Sequence, residues 1–169
     1  MKTLLLATVM ALGLTGLAQA ADPVNADRSG LYIGGNLGSS TDNKSRIDLG
    51  GAVGYQVGPY ARVEADFDHA WRSNGVGNMA MANAIGQYRI PNSTLTPYVL
   101  AGVGVGIDKF GATHTGNSQA LYNVGAGMRV AVSESVELDA RYRMVHTVDS
   151  NKVATRDQNL FTLGAAYRF

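Results

Sequence analysis

Two segments of the sequence carry charged side chains at every second residue. The first contains Arg62, Glu64, Asp66 and Asp68, and the second contains Glu137, Asp139, Arg141 and Arg143. Side chains at this spacing lie on one face of an extended strand, where carboxylates and guanidinium groups neutralise one another. We interpret them as ion pairs inside a closed lumen, with a solvated sheet face as the alternative. Because a buried charge without a partner is costly, we expect this set to be structural rather than to form a selective channel.

The three histidines are the residues that would serve a lipid-modifying enzyme, which needs Ser, His and an acid together. His69 and His146 belong to the two charged segments. If these segments are the third and seventh strands of an eight-stranded barrel, they lie on opposite sides of it, and the two histidines cannot share a site. His114 lies in a predicted loop near Asp108 and Ser118, at no spacing that fixes a triad. We therefore predict no catalytic residues and no cofactor. Without convergent His or carboxylate residues, we also predict no metal site.

The composition excludes several classes of protein. The chain has 169 residues, 46% of them hydrophobic and 16% charged, with 21 glycines and no cysteine. This length allows one domain, and the lack of cysteine excludes disulfides and thiolate metal sites. Lys and Arg number 14 against 13 Asp and Glu, so no strong field attracts a nucleic acid. Beyond the N-terminal segment no stretch is apolar for the roughly 18 residues of a membrane helix, which leaves the β-barrel as the membrane class that fits.

The N-terminal segment has the layout of a secretory signal. Lys2 is its only charge, an apolar run from Leu4 to Leu17 follows, and Ala18-Gln19-Ala20 forms a small-residue cleavage site. We predict a cleaved signal peptide at residues 1–20, a short polar periplasmic arm at 21–29, and a barrel domain at 30–169.

The rest of the sequence alternates apolar and polar residues with the period of two that is typical of strands. We predict eight strands, at about residues 30–39, 46–57, 60–71, 79–90, 96–107, 120–132, 136–147 and 158–169. The prediction of the fourth strand depends on Met and Ala residues, which are also common in helices. Connections near residues 58, 92 and 134 are tight, whereas those at 40–45, 72–78, 108–119 and 148–157 are longer and polar. This alternation predicts an all-β fold, an eight-stranded antiparallel up-and-down transmembrane β-barrel.

Aromatic residues indicate which face of the strands points outward. A soluble barrel would turn its apolar face inward around a ligand. Here, however, outward-parity aromatics gather at the strand ends: Tyr55, Tyr88, Tyr167 and Phe169 at the tight-turn end, and Trp71, Tyr122 and Phe161 at the other. Two such girdles are typical of lipid interfaces. We therefore predict that the apolar face contacts outer-membrane lipid.

The tight turns fix the register, and the register predicts pairs inside the lumen. A turn centred on Glu134 places Arg129 opposite Asp139. The base of strand seven lies beside the end of strand eight, which places Glu137 near Arg168. Tyr32, Tyr60 and Tyr98 share the lumen parity at the bases of three strands and are expected to narrow the periplasmic mouth. An eight-stranded barrel has an interior just wide enough for side chains to fill. The predicted lumen network consists of Arg62, Glu64, Asp66, Arg129, Glu137, Asp139, Arg141, Arg143 and Arg168.

Three stretches carry a family resemblance. They are residues 30–38, residues 97–106 and the C-terminal segment with Thr162, Gly164, Tyr167 and Phe169. Over residues 30–169 the chain resembles the small outer-membrane barrels, the OmpA-like transmembrane domain and opacity-family porins. The resemblance implies a Gram-negative outer membrane, and it implies that the C-terminal residues are a signal read by the barrel-assembly machinery through strand pairing. A peptidoglycan-binding domain is not expected, and the loops are shorter than those typical of opacity adhesins.

The resemblance concerns architecture more than activity. We expect a monomeric structural or surface-interaction barrel whose four loops face outward toward an unknown partner. A narrow, weakly conducting channel is the first alternative. A lipid A-modifying enzyme and a soluble ligand-binding barrel are less favoured.

Overall fold

A computed structural model describes residues 30–40, 46–72, 75–110, 117–148 and 157–169. These residues form eight strands: β1 (Gly30–Ser40), β2 (Arg46–Gln56), β3 (Ala61–Arg72), β4 (Gly75–Gln87), β5 (Leu95–Phe110), β6 (Asn117–Ala131), β7 (Val136–Val148) and β8 (Asp157–Arg168). The predicted signal peptide and periplasmic arm lie outside the described residues.

The strands form a closed barrel in sequence order. Each strand is antiparallel to its neighbours, and β1 closes the ring against β8, with Gly35 opposite Ala165. Closure gives every strand two partners, which removes the sheet edges that lipid cannot hydrogen-bond. The predicted eight-stranded antiparallel barrel is confirmed.

None of the described residues belongs to a helix that is long and apolar enough to cross a membrane.

Three short connections, at residues 57–60, 88–94 and 132–135, lie at one end of the barrel, which we call the turn end. The backbone N–H of Val57 donates to the carbonyl of Ala61 at 3.0 Å, and that of Val132 donates to Val136 at 2.9 Å. Asn92 adopts a left-handed φ of 57°, a conformation that asparagine tolerates well. The opposite end, the loop end, is where strands lead into segments 41–45, 73–74, 111–116 and 149–156.

Several strands are longer at the loop end than the sequence predicts. β4 spans Gly75–Gln87 instead of 79–90, because Gly75 already pairs with Arg72 and Phe110. β5 continues to Phe110 and β6 begins at Asn117. The predicted loops 72–78 and 108–119 were therefore too long. The assignment of side chains to the two faces is unaffected, since the strand parity is unchanged.

The two faces of the strands differ sharply in composition. Apolar side chains point outward and stay exposed, among them Leu37, Val99 and Phe67, whereas most of the charged residues of β3 and β7 are buried in the lumen. Val130 keeps the outward parity that the sequence predicts but is only 6% exposed, and it lies between its register partners Leu95 and Leu138.

Apart from Tyr98, sequence reasoning missed the apolar residues that occupy one side of the lumen. Met81, Leu121 and Val145 form one buried cluster, against which Met79 packs, and Ile85, Tyr98 and Leu100 form another. These residues come mainly from β4, β5 and β6. The charged groups on β3 and β7 therefore share the lumen with a compact apolar filling.

Candidate functional site

The lumen is crossed by a ladder of ion pairs between β3 and β7, which we call the β3–β7 ladder. In the closed order of eight strands, β3 and β7 stand on opposite walls. Along β3 the luminal residues are Arg62, Glu64, Asp66 and Asp68; along β7 they are Glu137, Asp139, Arg141 and Arg143. Because the two charge sequences are largely complementary, side chains from opposite walls meet in the middle of the barrel.

The first step of the ladder lies near the turn end. Arg62 donates two hydrogen bonds to Glu137, from Nη1 to Oε2 at 2.8 Å and from Nη2 to Oε1 at 3.0 Å. Arg168 on β8 also donates to Glu137 Oε1. The structure thus brings together Glu137 and Arg168, the pair expected from the register, and adds Arg62 from the opposite wall. Two-bonded arginine–carboxylate pairs are strong and geometrically specific.

The second step joins Arg141 to Glu64. Arg141 Nη1 donates to Glu64 Oε1 at 2.6 Å, and Tyr32 donates its hydroxyl to Glu64 Oε2 at 2.8 Å. Arg141 Nε donates to the Tyr98 hydroxyl at 2.9 Å, and that hydroxyl donates to Asp139 Oδ2 at 2.7 Å. Each polar group in this step is hydrogen-bonded to another, as buried charged groups require.

The third step lies nearest the loop end and is held by Arg143, which is 1% exposed. Its Nη1 donates to Asp66 Oδ2 at 3.0 Å and its Nη2 to Asp68 Oδ2 at 2.7 Å. Asn83 donates to Asp66 at 2.6 Å, and Asn123 donates to Asn83 at 2.9 Å. This amide chain links the ladder to β4 and β6.

Arg129 lies beside the ladder, opposite Asp139 as the register predicts. The two residues are Cα partners, with 3.3 Å between Arg129 Nε and Asp139 Oδ2. Arg129 Nη1 donates to Gln87 at 3.0 Å, and its guanidinium lies 4.0 Å from the centre of the Tyr98 ring. All nine residues of the predicted lumen network therefore face the lumen, but most of their pairings run across it rather than along the sheet.

Two small cavities lie on either side of the third step. The cavity at the loop end has a volume of about 40 Å³ and is lined by Asp48, Asp68, Gln119, Leu121, Thr147 and Leu160, among others. The cavity toward the turn end has about 30 Å³ and is lined by residues that include Tyr32, Glu64, Arg129 and Arg141. Asp66 and Arg143 line neither cavity. Each space suits about one water molecule.

The predicted aromatic girdles point outward at the two ends. Tyr55, Tyr88, Tyr167 and Phe169 are exposed at the turn end, and Trp71 and Tyr122 at the loop end, where Phe161 is partly exposed. Tyr60 does not narrow the mouth as predicted. It lies in the turn before β3 and is 67% exposed, because the turn breaks the strand parity. Tyr32 and Tyr98 do face the lumen, where both are buried.

The four residues of the predicted assembly signal occupy both faces of β8. Thr162 is buried in the lumen, while Tyr167 and Phe169 point outward with their rings 5.2 Å apart, edge to face. Gly164 is closely packed: a Cβ there would lie 2.7 Å from the carbonyl oxygen of Gly35. Thr162, Gly164 and Tyr167 therefore lie along the line where β8 pairs with β1 and closes the barrel. Recognition by assembly machinery stays a prediction.

The histidines do not come together. His69 is hydrogen-bonded to Asn78 and His146 stacks on Tyr122, on opposite sides of the barrel. His114 lies outside the described residues. Over the part of the chain that the structure describes, no group of three or more His, Cys, Asp or Glu residues is arranged to hold a metal ion.

Three solved structures are similar to this barrel. The N-terminal barrel of Pseudomonas aeruginosa OprF is 17% identical, with 84% of this chain and 100% of that chain covered and a TM-score of 0.66. Neisserial surface protein A is 17% identical, with 83% and 97% covered and a TM-score of 0.68. The Yersinia pestis attachment invasion locus protein Ail is 20% identical, with 85% and 99% covered and a TM-score of 0.56.

The same fold also occurs in an enzyme. The outer membrane enzyme PagL is 12% identical, with 80% of this chain and 97% of that chain covered and a TM-score of 0.51. The fold therefore does not by itself separate catalytic from non-catalytic barrels.

No curated protein sequence matches the chain. The family model described as the outer membrane protein beta-barrel domain matches residues 5–169, nearly the whole sequence. The closed ring of eight antiparallel strands, its apolar outer belt and its charged lumen agree with that match. The chain therefore belongs to the outer membrane protein β-barrel domain family.

Proposed function

We propose that this outer-membrane barrel is a closed, non-conducting scaffold that holds its loops at the cell surface for structural or surface-interaction roles. The β3–β7 ladder is the observation that carries the proposal. Side chains from opposite walls meet inside the lumen, so the barrel is braced across its width. A braced barrel is a stable support for loops that vary in sequence, and binding residues are often placed on loops held by a rigid scaffold.

The small size of the two luminal cavities supports the non-conducting scaffold over the channel alternative. The cavities of about 40 and 30 Å³ each suit a single water molecule, and Asp66 with Arg143 lies between them. Recording the purified protein in planar lipid bilayers tests this directly. We expect no regular conductance steps. Reproducible steps that scale with the amount of protein inserted would overturn the non-conducting scaffold.

The names of two related structures suggest a ligand with which to test binding by the loops. Ail is called an attachment invasion protein, and it has been crystallised with the heparin analogue sucrose octasulfate. In this chain Lys44, Lys152 and Arg156 lie within loop segments 41–45 and 149–156. Basic side chains there favour a sulfated or otherwise anionic polysaccharide as the first partner to test.

A loop exchange tests the surface role. Residues 149–156 are replaced by a Gly-Ser segment of equal length, and residues 73–74 are replaced likewise as the matched control. Binding to immobilised heparin is measured for protein that shifts mobility on boiling in SDS, the sign of a folded barrel. We expect the first exchange to lose binding and the control to keep it. Equal binding by both would contradict loop recognition of this ligand.

Catalysis is not part of the proposed function. His69 is hydrogen-bonded to an amide, and His146 is on the opposite wall, so the two do not form one acid–base site. Mass spectrometry of lipid A from cells with and without the protein tests this. Identical lipid A spectra are expected, and a mass change that disappears in a His69→Ala, His114→Ala or His146→Ala variant would establish an enzyme.

The route to the membrane also belongs to this proposal. We infer export by a signal peptide cleaved after Ala20, insertion by the barrel-assembly machinery, and a monomeric product with its outer face in lipid. N-terminal sequencing of protein from purified outer membranes tests the cleavage, with Ala21 as the expected first residue. Mass measurement in detergent tests the monomer.

A further inference from the structure

The lipid-facing surface carries two imidazoles. Among the strand side chains that the structure describes, the outward ones include no carboxylate, lysine or arginine, but they do include His69 on β3 and His146 on β7. Both stand near the loop end, beside Trp71 and Tyr122 of the outer girdle. A polar ring among apolar neighbours needs a hydrogen-bonding partner.

The His69 ring is held in a fixed orientation. Its Nδ1 lies 2.7 Å from Asn78 Oδ1, and because an amide oxygen only accepts, Nδ1 must carry a hydrogen. The ring of Trp71 lies 4.5 Å away at 76°, edge to face. With Nδ1 engaged by Asn78, Nε2 is the nitrogen that can meet a ligand, and an anionic ligand selects the ring form in which both nitrogens donate.

Together these three side chains present mainly hydrogen-bond donors. The one acceptor oxygen of Asn78 already serves His69, which leaves the two N–H groups of its amide. Trp71 contributes an indole N–H, a donor only, and is 50% exposed. A donor-rich surface without a carboxylate is complementary to anionic oxygen.

In outer-membrane barrels the short turns face the periplasm and the longer loops face outward. The loop end of the apolar belt therefore meets the outer leaflet. We propose that His69, Trp71 and Asn78 bind the phosphate group of a phosphorylated glycolipid head in that leaflet. The site is separate from the loops and does not depend on their role.

His146 provides a natural comparison within the same barrel. It also points outward near the loop end, but its ring stacks on Tyr122, with centroids 4.8 Å apart and planes 17° apart. Its register partner on β8 is Asp157, whereas the register partner of His69 on β4 is Asn78. Because the register partner of His69 supplies an amide with two donors, the His69 side is expected to bind a phosphate more strongly.

The test uses the full barrel in phosphatidylcholine nanodiscs to which diphosphoryl lipid A is added. Lipid A bound per barrel is measured by native mass spectrometry, and the imidazole nitrogen signals of the two histidines are followed by NMR. We expect the His69 signals to move on addition and those of His146 to stay. His69→Gln should lose about tenfold or more in affinity for lipid A, because it removes a hydrogen bond to a charged group.

Two further variants sharpen the test. Asn78→Asp keeps an acceptor for His69 Nδ1 but replaces two donors with a negative charge, so lipid A binding should fall at least as far. His146→Gln is the matched control and should bind as the unaltered protein does. All variants are first shown to shift mobility on boiling, which establishes a folded barrel.

Three results would overturn the proposal. Equal loss in His146→Gln and His69→Gln would mean that the patch has no special role. Equal binding of lipid A without phosphates would mean that phosphate is not recognised. The same movement of the His69 signals with inorganic phosphate alone, at concentrations similar to those of lipid A, would assign the site to the free ion instead of the lipid.

Discussion

Arg62 on β3 and Glu137 on β7 are joined by two hydrogen bonds, of 2.8 and 3.0 Å, between opposite walls of the lumen. Glu137 also accepts a bond from Arg168 on β8, so one carboxylate serves two guanidinium groups. Loss of the carboxylate therefore affects both arginines, whereas loss of one arginine leaves the carboxylate with the other.

Replacing Glu137 should cost more than replacing Arg62. Glu137→Gln leaves two buried arginines without their carboxylate, and breaking a buried pair this way costs about 3–5 kcal/mol of unfolding free energy. Arg62→Gln leaves Glu137 still paired with Arg168, so its cost should be smaller. Urea unfolding in lipid vesicles measures both.

Arg89→Gln is the control for these two variants, because Arg89 lies partly exposed in the turn at 88–94. We expect it to change the unfolding free energy little. Equal costs for Glu137→Gln and Arg62→Gln would contradict the shared-carboxylate arrangement.

Gly54→Ala should destabilise the barrel. The Tyr32 ring lies over Gly54, its register partner, and an added Cβ would stand 2.3 Å from Tyr32 Cζ. Forcing an extra methyl into a packed interior costs about 1–3 kcal/mol. Gly58→Ala is the matched control, since nothing lies within 4 Å of a Cβ at Gly58. Unfolding curves that coincide for the two variants would show that the Tyr32 ring yields without cost.

Removing the third step of the ladder should open the lumen. Arg143→Ala combined with Asp66→Ala deletes the two side chains between the cavities and leaves Asp68 as a negative group. We expect brief conductance steps in planar bilayers with preference for cations. The paired control, Met128→Ala with Met144→Ala, removes volume from the outer face and should stay silent. If neither variant conducts, the barrier to ion passage lies elsewhere in the lumen.

Replacing Phe169 with alanine should impair assembly in cells more than folding in vitro, because Phe169→Ala keeps the backbone N–H that donates to the Leu31 carbonyl at 3.1 Å. Phe169 is 74% exposed and contacts Tyr167, so it contributes little to the interior. We expect less heat-modifiable protein in the outer membrane, while the purified chain refolds into detergent at an unchanged rate. An equal defect in both settings would mean that Phe169 acts through stability and not through recognition.

The period-two pattern was sufficient to predict the strands and their faces. β3 is the clearest case, because its charged and apolar residues alternate without interruption from Ala61 to Asp68. The pairs Arg129–Asp139 and Glu137–Arg168 were also accessible, since both join neighbouring strands: the first pair faces across a tight turn, and the second lies at the adjacent ends of β7 and β8.

The pairings across the lumen were not accessible from the sequence. Whether Glu64 meets Arg141 depends on the width and stagger of the closed barrel, which involve all eight strands together. The apolar luminal clusters were missed for a different reason. β4 and β5 carry apolar residues at both parities, so Met81 and Leu100 resemble their outward neighbours. Tyr60 was misplaced because its parity was extended through a turn.

The β3–β7 ladder has a consequence for how the protein reaches its native state. Its bonds join residues 75 and 77 positions apart in sequence, and non-local contacts of this kind form late and slowly. A partly paired sheet would expose these charges to lipid, while a hairpin on its own could not neutralise them. Productive insertion therefore approaches an all-or-none event, in which ring closure and charge neutralisation occur together.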